Sequence, residues 1–296
     1  MRSEILAVSS VRLFRFAVGT VLLLAGMALL VAQGLAWLNL EPRLLRALEG
    51  GAICALGTAL GAVPVLVIRK MPIMVSDGLL GFGAGVMLAA TAFSLIVPGL
   101  AAAEGLGFTP WGAGGLISLG LVLGALGLFA VDYSVSQGAQ SSGGIQDHPA
   151  IAPRIWLFVI AIVAHNIPEG MAIGVSAGGG LSEADSLAIG IALQDVPEGL
   201  VIAMVLAGAG MSRIRAFLIG AASGLVEPLF ALLGAWLVAI AELLLPFGLA
   251  LAAGAMLLVV THEIIPESRL NGHNKIASLG LIAGFCLMMV MDTALV

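Results

Sequence analysis

Charge is what this sequence lacks. Of its 296 residues, 10% are Asp, Glu, Lys or Arg and 60% are hydrophobic, whereas a soluble domain carries about 25% charged residues. A chain of this length would need more charge than that to coat a water-facing surface. No tract of basic residues is present, so no nucleic-acid partner is expected. Cysteine is scarce too. Cys54 and Cys286 both lie in apolar runs outside any Cys-x-x-C motif and read as small buried apolar residues.

What the chain has instead is long apolar runs. A run of about 20 such residues crosses the hydrocarbon layer as a helix, and the 40 glycines suit close helix packing in lipid. Turn and charge signals divide the sequence into nine expected membrane helices: 12–38, 47–68, 76–103, 111–137, 154–177, 184–207, 213–240, 244–265 and 273–294. The run from Phe16 to Leu40 is too long for a signal-peptide core, so residues 1–40 are expected to form a retained extra helix. The longest polar connection is roughly 138–153, and the Gln137–Gly144 stretch within it reads as a flexible loop. The expected fold class is therefore an all-α polytopic membrane protein.

Basic residues concentrate on the cytoplasmic side of membrane proteins. With the N-terminus in the cytoplasm and the C-terminus outside, Arg2, Arg12, Arg15, Arg69, Lys70, Arg154, Arg213, Arg215, Arg269 and Lys275 all fall inside, and only Arg43 and Arg46 fall outside. The external connections carry Glu104, Glu183, Asp185 and Glu242 instead. An error of one helix would scramble this asymmetry.

Two parts of the chain echo each other. Ala84-Gly85-Val86-Met87-Leu88 resembles Ala253-Gly254-Ala255-Met256-Leu257, and the runs end similarly at Leu95-Ile96-Val97-Pro98 and Glu263-Ile264-Ile265-Pro266. Gly57, Gly61 and Pro64 loosely match Gly220, Gly224 and Pro228. The offset is five helices, an odd number, so 47–137 and 213–294 are expected to be inverted three-helix repeats flanking a helix pair at 154–207. Inverted repeats mark many transporters.

The central pair carries the chemistry. His165-Asn166-Ile167-Pro168-Glu169-Gly170 and Gln194-Asp195-Val196-Pro197-Glu198-Gly199 share a Pro-Glu-Gly core, mid-helix in each case. Residues three and four apart share a helix face. That aligns His165 and Asn166 with Glu169, and Gln194 and Asp195 with Glu198. A charge at mid-bilayer costs about 2.5 kcal/mol or more by insertion scales, and three carboxylates would also repel one another. A divalent cation resolves both problems. Pro168 and Pro197 cannot donate to the carbonyls of Ala164 and Leu193, and broken helices often border ion sites. Glu227, before Pro228, would add a carboxylate, and Met87 offers a thioether. Asp132, His262 and Glu263, near cytoplasmic helix ends, read equally as an exit-side relay or as solvated ends.

The motif pair on consecutive membrane helices resembles the ZIP (Zrt/Irt-like) metal transporter family, in particular its bacterial GufA-like branch, over residues 41–296. The resemblance implies an eight-helix core with inverted outer triplets and a binuclear mid-membrane site. Met87, His165, Glu169, Gln194, Asp195 and Glu198 would form one metal position. Asn166, Glu169, Asp195, Glu198 and Glu227 would form the other, with carboxylates bridging. It further implies import of divalent metal into the cytoplasm across an inner membrane, and often a homodimer. The motion implied is elevator-like, with 47–68, 154–177, 184–207 and 213–240 sliding against 76–103, 111–137, 244–265 and 273–294. Many relatives have a histidine-rich loop after the fourth helix. Here it holds only Asp147 and His148, which puts loop-based sensing in doubt.

Two enzyme classes compete with transport for this residue set. A membrane di-iron oxidase repeats Glu-x-x-His on two helices, and an intramembrane metalloprotease needs His-Glu-x-x-His. Neither pattern occurs: the nearest match, His262-Glu263-Ile264-Ile265-Pro266, ends in proline. No prosthetic group is expected. Imidazole with carboxylates favours borderline ions, with Zn²⁺ leading, Cd²⁺ as surrogate, and Fe²⁺ and Mn²⁺ unranked as transported substrates. With no cysteine expected at the site, a Cu(I) path is disfavoured.

Overall fold

A computed structural model describes residues 41–68, 71–141, 153–241 and 243–294. Among the described residues there is no strand, and eight long helical segments run in succession. They are α1 (Pro42–Leu66), α2 (Ile73–Gly105), α5 (Ala184–Gly208), α6 (Arg213–Ile240), α7 (Leu244–Arg269) and α8 (Asn274–Ala294), with α3 (Pro110–Ser141) and α4 (Pro153–Gly178) between α2 and α5. Seven are long and apolar enough to cross a membrane. The remaining one, α4, is 26 residues long, against about 20 needed to span. The protein is an all-helical, polytopic membrane protein. The eight segments overlie the expected helices from 47–68 onward. The expected helix at 12–38, like Asp147 and His148, lies outside the described residues. Helix α3 runs to Ser141 rather than stopping at 137, since Ala139 and Gln140 propagate a helix already begun at little cost.

Three spans are interrupted, each beside a proline. In α2 a π-helical turn covers Ala90–Ile96, just before Pro98. In α7 a π-helical turn covers Val260–Ile264, just before Pro266. Pro98 has no N–H for the carbonyl of Ser94, nor Pro266 for that of His262, and a wider turn absorbs the break. Helix α6, expected to be continuous, stops at Ser223 and restarts at Val226. Glu227 thereby stands in the first turn of a new half-helix, where the aligned peptide dipoles favour negative charge.

Glycine decides which helices touch backbone to backbone. A Cβ at Gly61 would lie 2.0 Å from the carbonyl oxygen of Val196, and one at Gly199 would lie 2.0 Å from that of Thr58, so α1 and α5 meet without side chains between them. Gly170 and Gly174 do the same for α4 against α6, at Glu227 and Ala231. Gly51 against Pro228 ties α1 to α6. A second set of seams joins α2 to α8 through Gly81, Gly85 and Gly284, and α3 to α7 through Gly124 and Gly254. Between α1, α4, α5 and α6 on one side and α2, α3, α7 and α8 on the other, the glycines instead face side chains. Gly179 meets Leu245, Gly248 meets Val175 and Gly190 meets Met288.

Candidate metal centre

The Pro-Glu-Gly helices α4 and α5 present their polar faces to each other where α1 and the break in α6 close over them. Asn166, Glu169, Gln194, Asp195 and Glu227 are all buried, and Glu198 is half-buried. Gln194 Nε2 donates to Glu169 Oε1 across the helix pair and to Asp195 Oδ1 at 3.3 Å. Asn166 Nδ2 donates to Glu227 Oε1 at 3.0 Å and to the carbonyl of Ser223 at 3.2 Å, at the α6 break. Thr58 Oγ1 donates to the same Glu227 oxygen at 3.4 Å.

Two compact groups of ligand-type atoms result. Carboxylate oxygens of Glu169, Asp195 and Glu198 lie within 4.8 Å of one another, and so do Cys54 Sγ and oxygens of Asp195 and Glu227. Asp195 belongs to both. Among the described residues, seven buried side-chain polar atoms lack a hydrogen-bond partner. Six are acceptor oxygens of this cluster: Asn166 Oδ1, Glu169 Oε2, Gln194 Oε1, Asp195 Oδ2, Glu198 Oε1 and Glu227 Oε2. Buried polar atoms are rarely left unpaired. A convergence of acceptors without a matching donor is the chemistry of a cation site.

The remaining expected residues fall around this centre. His165 is outside both compact groups: its Nε2 stands 2.7 Å from Glu263 Oε2 on α7. Glu263 was expected among residues at a helix end, but the π-helical turn in α7 brings it to the centre's edge. His262 is exposed, edge-to-face with Phe129 at 6.5 Å between centroids. A cavity of about 350 Å³ is lined by His165, Gln194, Glu198, His262, Glu263 and Glu267, among others. Its lining runs along α5 to Val205 and along α7 to Leu270. Met87 is buried in the core, one turn beyond Gly83, which faces Gln194. Asp132 lies within α3, its side chain outside the described residues.

Cysteine corrects the sequence reading. Cys54 is not a filler remote from the site: its sulfur joins Asp195 and Glu227 and donates weakly to the carbonyl of Ala188 at 3.2 Å. Cys286 is exposed rather than buried. The signal for Cys54 was its place on the glycine-lined face of 47–68, between Gly51, Gly57 and Gly61, but the partner of that face was not readable from sequence.

A family model described as ZIP Zinc transporter matches residues 133–292. The chain is 45% identical to Zinc transporter ZIPB of Bordetella bronchiseptica over 253 residues, covering 84% of this chain and 81% of that protein. The chain belongs to the ZIP zinc transporter family. This ZIP protein is also 36% identical to Zinc transporter GufA of Myxococcus xanthus, covering 84% of this chain and 98% of that one. With Zinc transporter ZIP11 of Homo sapiens the identity is 32%, covering 80% and 94%. At 45% identity the Bordetella protein is a relative of this ZIP protein and not the same chain.

Proposed function

We propose that this ZIP protein carries divalent transition-metal ions, Zn²⁺ foremost and Cd²⁺ as a surrogate, across the inner membrane into the cytoplasm. It acts as a transporter and not as an enzyme. The observation that carries this reading is the set of six unpartnered acceptor oxygens buried around Asp195. Two ions side by side satisfy them. One sits among Glu169, Gln194, Asp195 and Glu198, completed by His165 and Met87 when His165 leaves Glu263. The other sits among Asn166, Glu169, Asp195, Glu198 and Glu227, with the half-helix break exposing backbone carbonyls beside it.

The path and the motion follow from the packing. The cavity reaching past Glu198 and Glu263 to Val205 and Leu270 is the cytoplasmic exit, with His262, Glu263 and Asp132 as relay groups. The group α1, α4, α5 and α6 is locked by glycine seams and holds every carboxylate of the centre. It moves as one body past the softer, side-chain-filled boundary with α2, α3, α7 and α8. The two sets of seams and the paired π-helical turns support an inverted repeat, and the hydropathy of 12–38 alone adds a ninth helix to this reading. Pairing into a homodimer is part of the same reading.

The test is uptake by purified protein in liposomes. Zn²⁺ or Cd²⁺ influx that is saturable and absent from protein-free vesicles is the expected result. Proteoliposomes that bind metal without moving it would sink the transport reading.

A further inference from the structure

We infer that Cys54 is a sulfur ligand of the metal position on the Glu227 side, and that it biases this chain toward thiophilic divalent ions. The inference rests on the metal-centre reading above and adds to it a residue and a selectivity.

The geometry begins with α1. Gly51, Cys54, Gly57, Thr58 and Gly61 recur at helical spacing along one face. The glycines on that face bring it onto Pro228 of α6 and onto Ala192 and Val196 of α5. Gly224, at the α6 break, also comes close to Thr58 and Ala55, where a Cβ would meet atoms at 2.9 and 3.0 Å. The cysteine side chain is therefore held in the line where α1, α5 and α6 converge, fully buried. Its sulfur and oxygens of Asp195 and Glu227 lie within 4.8 Å of one another. Asp195 is 1% exposed and Glu227 0%, and each keeps one oxygen, Oδ2 and Oε2, without a hydrogen-bond partner.

A filler role explains the burial but not the neighbours. An apolar filler gives two buried carboxylates nothing, and a thiol is only a weak hydrogen-bond donor, here directed to the carbonyl of Ala188. As thiolate, the form in which cysteine binds metal, the same sulfur supplies what the carboxylates lack: a third donor atom on the far side of an ion. Zn–S and Zn–O bonds of about 2.3 and 2.0–2.2 Å set tetrahedral donors about 3.4–3.6 Å apart, a spacing that falls inside the 4.8 Å within which this trio stands. Thiolate favours Zn²⁺ and Cd²⁺, whereas oxygen-only sites suit Mn²⁺.

The experiment is cobalt substitution in the purified full chain. Co²⁺ bound through sulfur shows a sulfur-to-cobalt charge-transfer band in the near ultraviolet, beside the weaker visible bands that any bound Co²⁺ gives. The band is expected in the unaltered protein and in Cys286→Ser, and is expected to vanish in Cys54→Ser while visible bands persist. Cd²⁺ affinity in Cys54→Ser should fall by about tenfold or more, since losing even outer partners of a metal site costs about 10–100-fold, with Mn²⁺ affinity changed far less. Because the unaltered protein carries the signal, a Cys54→Ser variant that fails to fold does not leave the question open. Bound Co²⁺ without the band, or a band lost in Cys286→Ser instead, overturns the assignment of Cys54 while leaving the metal centre standing. If no Co²⁺, Zn²⁺ or Cd²⁺ binds at all, the metal-centre reading falls and Cys54 with it.

Discussion

His165 Nε2 and Glu263 Oε2 lie 2.7 Å apart, and they belong to different helix groups, α4 in one and α7 in the other. The residue that completes the metal position in the ZIP reading is therefore held here by the opposite side of the boundary. Glu263→Gln keeps the shape and weakens the charge-assisted bond, at a cost of about 1 kcal/mol. At about 2.1 cal/mol/K of unfolding entropy per residue, that corresponds to a drop of about 1–2 °C in the metal-free unfolding midpoint. Added Zn²⁺ should shrink the difference between variant and parent by drawing His165 to the ion. Thermal unfolding in detergent, with and without Zn²⁺, checks both; identical midpoints without metal would show that the contact contributes nothing.

Asp195 is shared by the two compact groups and Glu227 belongs to one. Asp195→Ala should lose both ions and lower transport by about 100-fold or more, judged against the 10–100-fold typical of lesser changes around a metal. Glu227→Ala should bind nearer one ion than two and keep measurable transport. Metal content of purified variants, paired with liposome uptake, decides it. Two ions retained by Asp195→Ala would mean the groups do not share a ligand.

Acid should weaken binding. Imidazole and carboxylates ligate only when deprotonated, so protons compete with metal, and affinity is full at high pH and lost as pH falls. Titration calorimetry from pH 8 to pH 5 should show a steady decline, and a flat profile would remove His165 from the ligand set.

The glycine seams predict a sharp contrast. Gly254→Val places a branched side chain where a Cβ already comes within 2.0 Å of the Leu121 carbonyl oxygen. Overpacking of that kind costs about 1–3 kcal/mol and sometimes more, so monodisperse protein should be lost. Gly114→Ala on α3 meets nothing within 4 Å and should be neutral or slightly stabilising. Size-exclusion profiles of the two variants make the comparison.

The lysine and arginine asymmetry predicts a cytoplasmic N-terminus and an external C-terminus. Cysteine probes at positions 2 and 296 in intact cells should label from outside only at 296. Outside labelling at position 2 would overturn the nine-helix topology.

Hydropathy made the spans readable because lipid demands long apolar helices, and spacing alone aligned Asp195 with Glu198, which share one compact group. What sequence could not carry was tertiary. The α6 break falls at Gly224–Leu225, where Ser223, Gly224, Glu227 and Pro228 interrupt the apolar run without distinguishing a kink from a full break. Cys54 looked apolar until its glycine neighbours found α5 and α6. The π-helical turns left only Pro98 and Pro266 as traces, so the swing of Glu263 toward His165 was not visible. Nothing in the spacing of His165 indicates which of two partners, a metal ion or Glu263, holds it at a given moment.

The glycine seams have a consequence for the surrounding lipid. Carbonyls and glycines in contact leave no crevice for an acyl chain, so lipid can grip each helix group only on its outer flank. A group that travels along the membrane normal must then carry its whole apolar belt with it and leave part of that belt mismatched to the hydrocarbon layer at one end of the stroke. Mismatch costs fractions of a kcal/mol per Å. On the proposed motion, bilayer thickness becomes a brake or an aid on turnover, although the carboxylates of Glu169, Asp195 and Glu227 are themselves buried.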